Sequence, residues 1–288
     1  MLVLVCHSTN CSASSPDLAL ADSLLRLGYL NEASLKYEEV LYGNPDNTLL
    51  KCEVLLHKTQ CLKEQGLFDR IVPLLRRIPI DELPDSLKFA VYYEKSISSF
   101  LTEQFEQAEQ YILPVFNLEI NSVQYHAACI LQSLVLNEQG RWMEAASLLN
   151  NVINTDTMLS ANEKSDAVTM INELYNPSKI PVIRSIKKAR TLSLLFPGLG
   201  QFYNGNTGTG LLSLGFVSLS GLYIAYNIIN TTYLTAATSG VYLFLYFYFG
   251  GANQSSVLVP KKNTEKKSAY NNYLRKGLLT LNSNYFQL

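Results

Sequence analysis

Residues 191–260 carry no charged side chain: after Arg190 none of either sign appears until Lys261. A soluble fold has charges on the exposed side of nearly every element, so a run this long points to a membrane segment. Within it, Leu211–Ile229 and Tyr233–Gly250 are apolar stretches. At 1.5 Å per residue each approaches the roughly 30 Å of a bilayer core. Only Asn230, Thr231 and Thr232 separate them, which predicts an antiparallel pair of spans. The second stretch ends in the aromatic-rich Tyr242–Phe249, a composition suited to a membrane interface. Gly210, Ser213, Gly215, Ser218, Ser220 and Gly221 line the first. Small residues let helices pack closely in lipid, here on the second span or on a second copy of the chain.

The net charge of −1 conceals a division. Residues 1–176 hold 12 Lys and Arg against 23 Asp and Glu, a balance of −11. Residues 177–288 hold 11 Lys and Arg against Glu265 alone, a balance of +10. An acidic soluble region therefore precedes a basic, apolar one. The basic residues flank the apolar segment, which suits a membrane border and excludes a nucleic-acid groove. The five cysteines, Cys6, Cys11, Cys52, Cys61 and Cys129, form no CxxC pair, and His7, His57 and His126 are isolated. No structural zinc site, disulfide scaffold, nucleophile–base pair or pair of catalytic acids emerges, so neither an enzyme nor a cofactor is expected.

The acidic region repeats itself. GYLNEASLKY begins at Gly28, GLFDRIVPLL at Gly66, EQFEQAEQYI at Glu103 and GRWMEAASLL at Gly140. Each unit reads as a helix, a turn, and a second helix with a small or apolar residue at fixed offset: Ala33, Ile71, Ala108 and Ala145. A large side chain follows one helical turn later. Glycine at the turn admits the left-handed conformation that ends a helix. Ala lets two helices approach, and the next large residue fills the groove between them. Asn44-Pro45-Asp46 and Leu83-Pro84-Asp85 punctuate the first two units.

This pattern resembles the tetratricopeptide repeat family over about residues 17–155, with Gly28, Ala33, Tyr37 and Pro45 closest to its signature. Glu103 departs from it, standing where glycine is usual. The resemblance implies a TPR-like helical-hairpin solenoid that binds a protein or peptide. Polar positions on the first helices, Lys51, His57, Tyr92, Glu94 and Gln132, would form the contact face. Ser160–Tyr175 reads as a capping helix within residues 156–176, with Ser160 and Glu163 at capping-box spacing.

Residues 177–191 form a basic linker with Arg184, Lys187, Lys188 and Arg190. The segment PGLGQFYNG, Pro197–Gly205, then leads to the first span. It is similar to the opening element, Pro-Gly-x-Gly-x-x-Tyr-x-Gly, of small two-span membrane domains, a resemblance that covers about residues 187–252. What it implies is architecture: a two-span domain over residues 192–252. Pro197 and Gly198 break a short apolar helix, while Gly200 and Gly205 permit tight turns. Gln201, Tyr203 and Asn204 can satisfy backbone groups at headgroup depth. The turn reads either as a helix break that sets the depth of the spans or as a contact for lipid or a partner. The glycines lack the spacing of a dinucleotide or P-loop motif.

Beyond the spans, residues 261–288 form a basic tail. Tyr270, Tyr273, Leu274, Leu278 and Leu281 share one helical face, which suits a helix lying on a membrane surface. The alternative is a helix packed on the solenoid. Residues 1–15 read as a signal-peptide remnant, with small residues before Ser15 but no basic start.

The expected fold is therefore all-α: a TPR-like helical-hairpin solenoid followed by a two-helix transmembrane hairpin. The expected function is a membrane-anchored scaffold that recruits a protein partner to the bilayer, in envelope assembly or membrane-protein biogenesis. An oligomeric pore or transport accessory is the alternative, although the spans carry no ionisable side chain. Expected partners are a protein or peptide, membrane lipid and a second copy of the chain, with no nucleic acid. The expected location is the bacterial inner membrane. Both flanks of the spans should share one face, since Leu192–Phe202 is too short to cross. Basic residues around the spans argue for the cytoplasm, and the signal-like start argues for an exported solenoid, which the sequence favours.

Overall fold

All four turn positions of the repeat adopt the left-handed backbone that ends a helix. φ is +80° at Gly28, +72° at Gly66, +60° at Glu103 and +82° at Gly140. At each, the next residue's N–H donates to the carbonyl five positions back: Tyr29 to Leu24, Leu67 to Leu62, Gln104 to Ser99 and Arg141 to Leu136, at 2.8–2.9 Å. This closure satisfies carbonyls that the helix end would leave unpaired. The structure, a computed structural model, describes residues 16–286, and these are all-helical with no strand. The signal-peptide reading of residues 1–15 lies outside the described residues.

The turns divide pairs of helices. α1 (Pro16–Arg26) is followed by α2 (Leu30–Gly43). α3 (Thr48–Glu64) is followed by a 3-10 turn, Phe68–Arg70, and the short α4 (Ile71–Leu75). α5 (Asp85–Leu101) precedes α6 (Phe105–Ile112), and α7 (Ser122–Gln139) precedes α8 (Trp142–Thr155). α4 is stunted because Pro73 offers no N–H and Pro79 biases Ile78 away from helix. Ala33, Ile71, Ala108 and Ala145 are fully buried, and so are Tyr37, Leu75, Ile112 and Leu149 one turn on. Each large side chain so buried stabilises the fold by roughly 1.5–3 kcal/mol before entropic costs. α9 (Ala161–Leu174) closes the series, opened by a reciprocal capping box between Ser160 and Glu163.

The chain forms two compact units. One contains the repeats together with Tyr273 and the residues after it, and the other is Lys179–Asn272. The second contains α10 (Ile186–Leu195), α11 (Leu199–Tyr203) and α12 (Thr207–Ile229). A short α13 (Tyr233–Thr235) and a π-turn, Ala236–Gly240, then lead into α14 (Val241–Leu281). The chain reverses at Thr231, whose φ of +62° is unusual for a β-branched residue. Phe216 stacks on Phe247 at 5.0 Å, and a Cβ on Gly240 or Gly251 would collide with Ile224 or Ser213 respectively. These pairings place α12 and the segment after the turn antiparallel.

Among the described residues one helix, Thr207–Ile229, is long and apolar enough to cross a membrane by length and composition. The second apolar run does not form one helix of that kind, because the π-turn divides it and Asn253 and Gln254 follow soon after. Around both helices the outward side chains are exposed and apolar, including Leu212, Leu219, Leu222, Tyr242 and Tyr246.

The tail differs from a helix lying on a membrane surface. Leu274, Leu278 and Leu281 are buried. A Cβ on Gly277 would stand 2.3 Å from a Leu174 methyl of α9, so the two helices are in close contact. Arg275 pairs with Glu138 of α7 at 3.0 Å, and Phe286 stacks on His126 of α7, centroids 4.4 Å apart. The apolar face is thus covered by helices of the repeat-bearing unit.

Candidate functional site

The segment before α12 is assembled from α10, α11 and α14. Gly198 has φ of +91°, and a Cβ there would lie 2.5 Å from the Gly210 carbonyl oxygen. A Cβ on Gly200 would lie 2.2 Å from both the Ala189 carbonyl oxygen and Ser193 Oγ. Both positions exclude any side chain, so α11 can lie directly on α10 and on the start of α12. Gln201 is fully buried. Its Oε1 accepts from Ser193 Oγ at 3.1 Å, and its Nε2 donates to the Gly251 carbonyl at 2.8 Å. Ser193 Oγ also accepts from Gly200 N–H at 3.1 Å. Gln201 therefore pins three helices together with hydrogen bonds away from water, where leaving one unmade costs about 1–3 kcal/mol. Tyr248 of α14 adds a bond from its hydroxyl to the Leu194 carbonyl, at 2.5 Å.

Tyr203 and Gly205 face the basic residues. The Arg184 guanidinium lies 5.5 Å and Lys188 Nζ 5.3 Å from the centroid of the Tyr203 ring, both within cation–π range. Ser185 N–H donates to Tyr203 Oη at 3.4 Å. Gly205, at φ +74°, ends α11 with the same closure as the repeat turns, Asn206 N–H donating to the Gln201 carbonyl at 2.8 Å. Lys262 Nζ donates to the Gly205 carbonyl at 3.3 Å. Of the six motif residues, Pro197 and Gly198 set the break, Gly200 and Gln201 form the joint, and Tyr203 and Gly205 meet the cations. Sequence reasoning missed Ser193, which bonds Gly200 and Gln201 of the motif, and Asn263, which bonds the Arg184 backbone. Small and amide side chains give no periodic signal.

The five polar residues of the expected contact face sit differently. His57 Nδ1 lies 2.8 Å from Asp22 Oδ1, which also accepts from the Tyr37 hydroxyl at 2.7 Å. Glu94 accepts from Lys63 Nζ at 2.6 Å. Gln132 is buried near Glu109, which is held by Arg141 at 2.6 Å and Gln139 at 2.8 Å. Three of the five thus serve bonds between neighbouring helices. Tyr92 is half-buried on α5. Lys51 lines a surface groove with Leu35, Glu38, Glu39, Leu41, Tyr42, Pro45 and Arg77. Leu35 and Tyr42 are exposed apolar residues beside these two cations.

Elsewhere the chemistry is quiet. Burial pushes the Cys52 and Cys129 thiols up to about 12, far from the thiolate that a nucleophile needs. Among the described residues no group of His, Cys, Asp and Glu could hold a metal ion. No family model, curated protein or solved structure matches the chain.

Proposed function

We propose that the protein is a membrane-anchored scaffold. In this reading the repeats form a TPR-like solenoid that captures a protein or peptide partner, and residues 192–252 form a two-span transmembrane hairpin that holds it at the bilayer. The setting would be envelope assembly or membrane-protein biogenesis at a bacterial inner membrane, with the solenoid exported.

One observation carries the anchor. The tail after the apolar segment packs on α7 and α9, which precede that segment. Flanks packed on one another belong on one side of any membrane, which supports an even number of crossings by the segment between them. A single crossing by α12 does not meet that condition, whereas α12 and the antiparallel start of α14 together do. The exposed apolar side chains on both helices are the surface that lipid would cover. The groove beside Lys51, with exposed Leu35 and Tyr42 and with Arg77 paired to Glu38, supports the capture of a partly apolar peptide.

The test is carbonate extraction of membranes followed by protease treatment of intact spheroplasts. The reading expects resistance to carbonate and cleavage of both flanks together, while protection of both would keep the anchor and overturn the export of the solenoid. Release by carbonate, or cleavage of one flank only, would overturn the anchor. Crosslinking of the full chain from positions around Lys51 tests the captured partner, and loss of the adduct in Tyr42→Glu is the expected result.

A further inference from the structure

Three cations gather around the Tyr203–Gly205 turn: Arg184 and Lys188 lie over the Tyr203 ring, and Arg184 and Lys262 border Gly205. Arg184 precedes α10, Lys188 sits in its first turn, and Lys262 lies on α14. Asn263 fixes the Arg184 backbone from both sides: its Nδ2 donates to the Arg184 carbonyl at 2.9 Å, and its Oδ1 accepts from Arg184 N–H at 3.0 Å. The guanidinium is thereby directed over Tyr203. A methyl group built on Gly205 would stand 3.4 Å from Arg184 Nη1 and 3.8 Å from Lys262 Nζ. Both cations thus border one small space, and Gly205 itself is exposed and has no side chain to fill it.

Nothing acidic balances this cluster. Lys179–Asn272 holds nine Lys and Arg and a single acid, Glu265. Among the described residues none of Arg184, Lys188 and Lys262 has a carboxylate within ion-pair distance. The Tyr203 ring compensates two of the charges only in part, because an exposed cation–π contact contributes about 0.5–1 kcal/mol. Three converging cations repel unless an anion sits among them. A guanidinium fork and an ammonium are the donors that a phosphate group accepts best.

The position selects the source of the phosphate. α12 begins at Thr207, two residues beyond Gly205, so the space opens where the candidate span meets the headgroup layer. We propose that Arg184, Lys188 and Lys262, around the Tyr203–Gly205 turn, bind the phosphodiester of an anionic phospholipid. This rests on the membrane reading above. Arg184 would take two non-bridging oxygens, Lys262 would close from α14, and the bare Gly205 backbone would leave room for the phosphate between them.

The test uses the full chain in a neutral detergent and native mass spectrometry. The probes are dioctanoyl phosphatidylglycerol, dioctanoyl phosphatidylcholine and inorganic phosphate. The wild-type chain should bind phosphatidylglycerol saturably and in preference to phosphatidylcholine. Each cation near an anionic headgroup contributes roughly fivefold, so Arg184→Gln/Lys188→Gln/Lys262→Gln should weaken binding on the order of a hundredfold. Arg184→Lys, which keeps the charge and loses the two-pronged fork, should bind more weakly than the wild-type chain and more tightly than Arg184→Gln. If the triple variant loses its helical circular dichroism, Lys262→Gln alone carries the test, with about fivefold expected. Equal affinity for the two lipids, or unchanged binding in the variants, would overturn the site. Displacement of phosphatidylglycerol by inorganic phosphate at equal concentration would overturn the lipid assignment. Carbonate extraction of the same proteins separates the two readings. A carbonate-resistant chain with no lipid preference sinks this site alone, and an extractable chain sinks the anchor.

Discussion

His126 Nε2 lies 3.0 Å from the Asp156 carboxylate while Phe286 of the tail stacks against the same imidazole. The ring thus joins α7, the end of α8 and the tail. Burial holds its pKa below the ordinary 6.5, against the upward pull of Asp156. The unfolded chain therefore takes up a proton at higher pH than the folded one, and stability present above pH 6.5 is lost as pH falls below it. Thermal melts of the full chain should shift downward between pH 7.5 and 5.5, and His126→Gln should flatten that dependence. An unchanged slope in the variant would assign the pH effect to other groups.

Glu103 holds a left-handed backbone at a turn whose three counterparts are glycines. A residue with a side chain is strained there by about 1–2 kcal/mol. Glu103→Gly should raise stability by about 1 kcal/mol, reading as a higher denaturation midpoint with an unchanged slope. Gly140→Ala should move the midpoint the other way by a similar amount.

Glu38 accepts from Arg77 at 2.7 Å and from Lys58 at 2.6 Å, joining α2 to the second repeat. Arg77 foremost, then Lys58, hold its carboxyl at about 2, against the opposing effect of burial. A depressed carboxylate stabilises above its unfolded pKa of about 4.5 and loses that contribution as pH falls toward 2. The pair is more than a third exposed, so Glu38→Gln should cost only about 1 kcal/mol at neutral pH. The cost should shrink in melts at pH 3.

At the α10–α11 joint, Gly200→Ala would drive a methyl into the Ala189 carbonyl. The backbone there cannot yield without moving a helix, and a loss of about 1–3 kcal/mol is expected. Gln201→Leu should cost a similar amount by removing the buried bonds to Ser193 Oγ and the Gly251 carbonyl. Limited proteolysis near Pro197 is the measurement. Unchanged cleavage in both variants would mean that the joint does not hold the segment.

The repeat turns were legible because a Schellman closure is local and its glycines recur at a fixed spacing. Glu103 could be placed only by that spacing, since its residue type argues against the turn. The role of Gln201 was half legible. Its amide was expected to satisfy backbone, but its partner Gly251 is fifty residues away, beyond the reach of any periodic signal. His57, Glu94 and Gln132 read as polar positions for a partner, and their bonds within the chain were not legible, because a helical period says which face a residue occupies, not what stands opposite. Asp22, Lys63 and Glu109 of neighbouring helices take them up. The tail carried the same ambiguity: Leu274, Leu278 and Leu281 announce a buried face, and neither lipid nor protein leaves a different period.

Gly277 against Leu174 joins residues that leave the ribosome far apart in time. The helices from Pro16 to Leu174 are synthesised well before their covering strand of sequence, and every residue of the apolar segment must emerge in between. Until Tyr273–Phe286 arrive, Leu174 and His126 lack their final neighbours. A nascent chain that stalls in the apolar segment therefore keeps an apolar patch on the helices already made. The docking of the tail marks, on the molecule itself, that the whole apolar segment has been made.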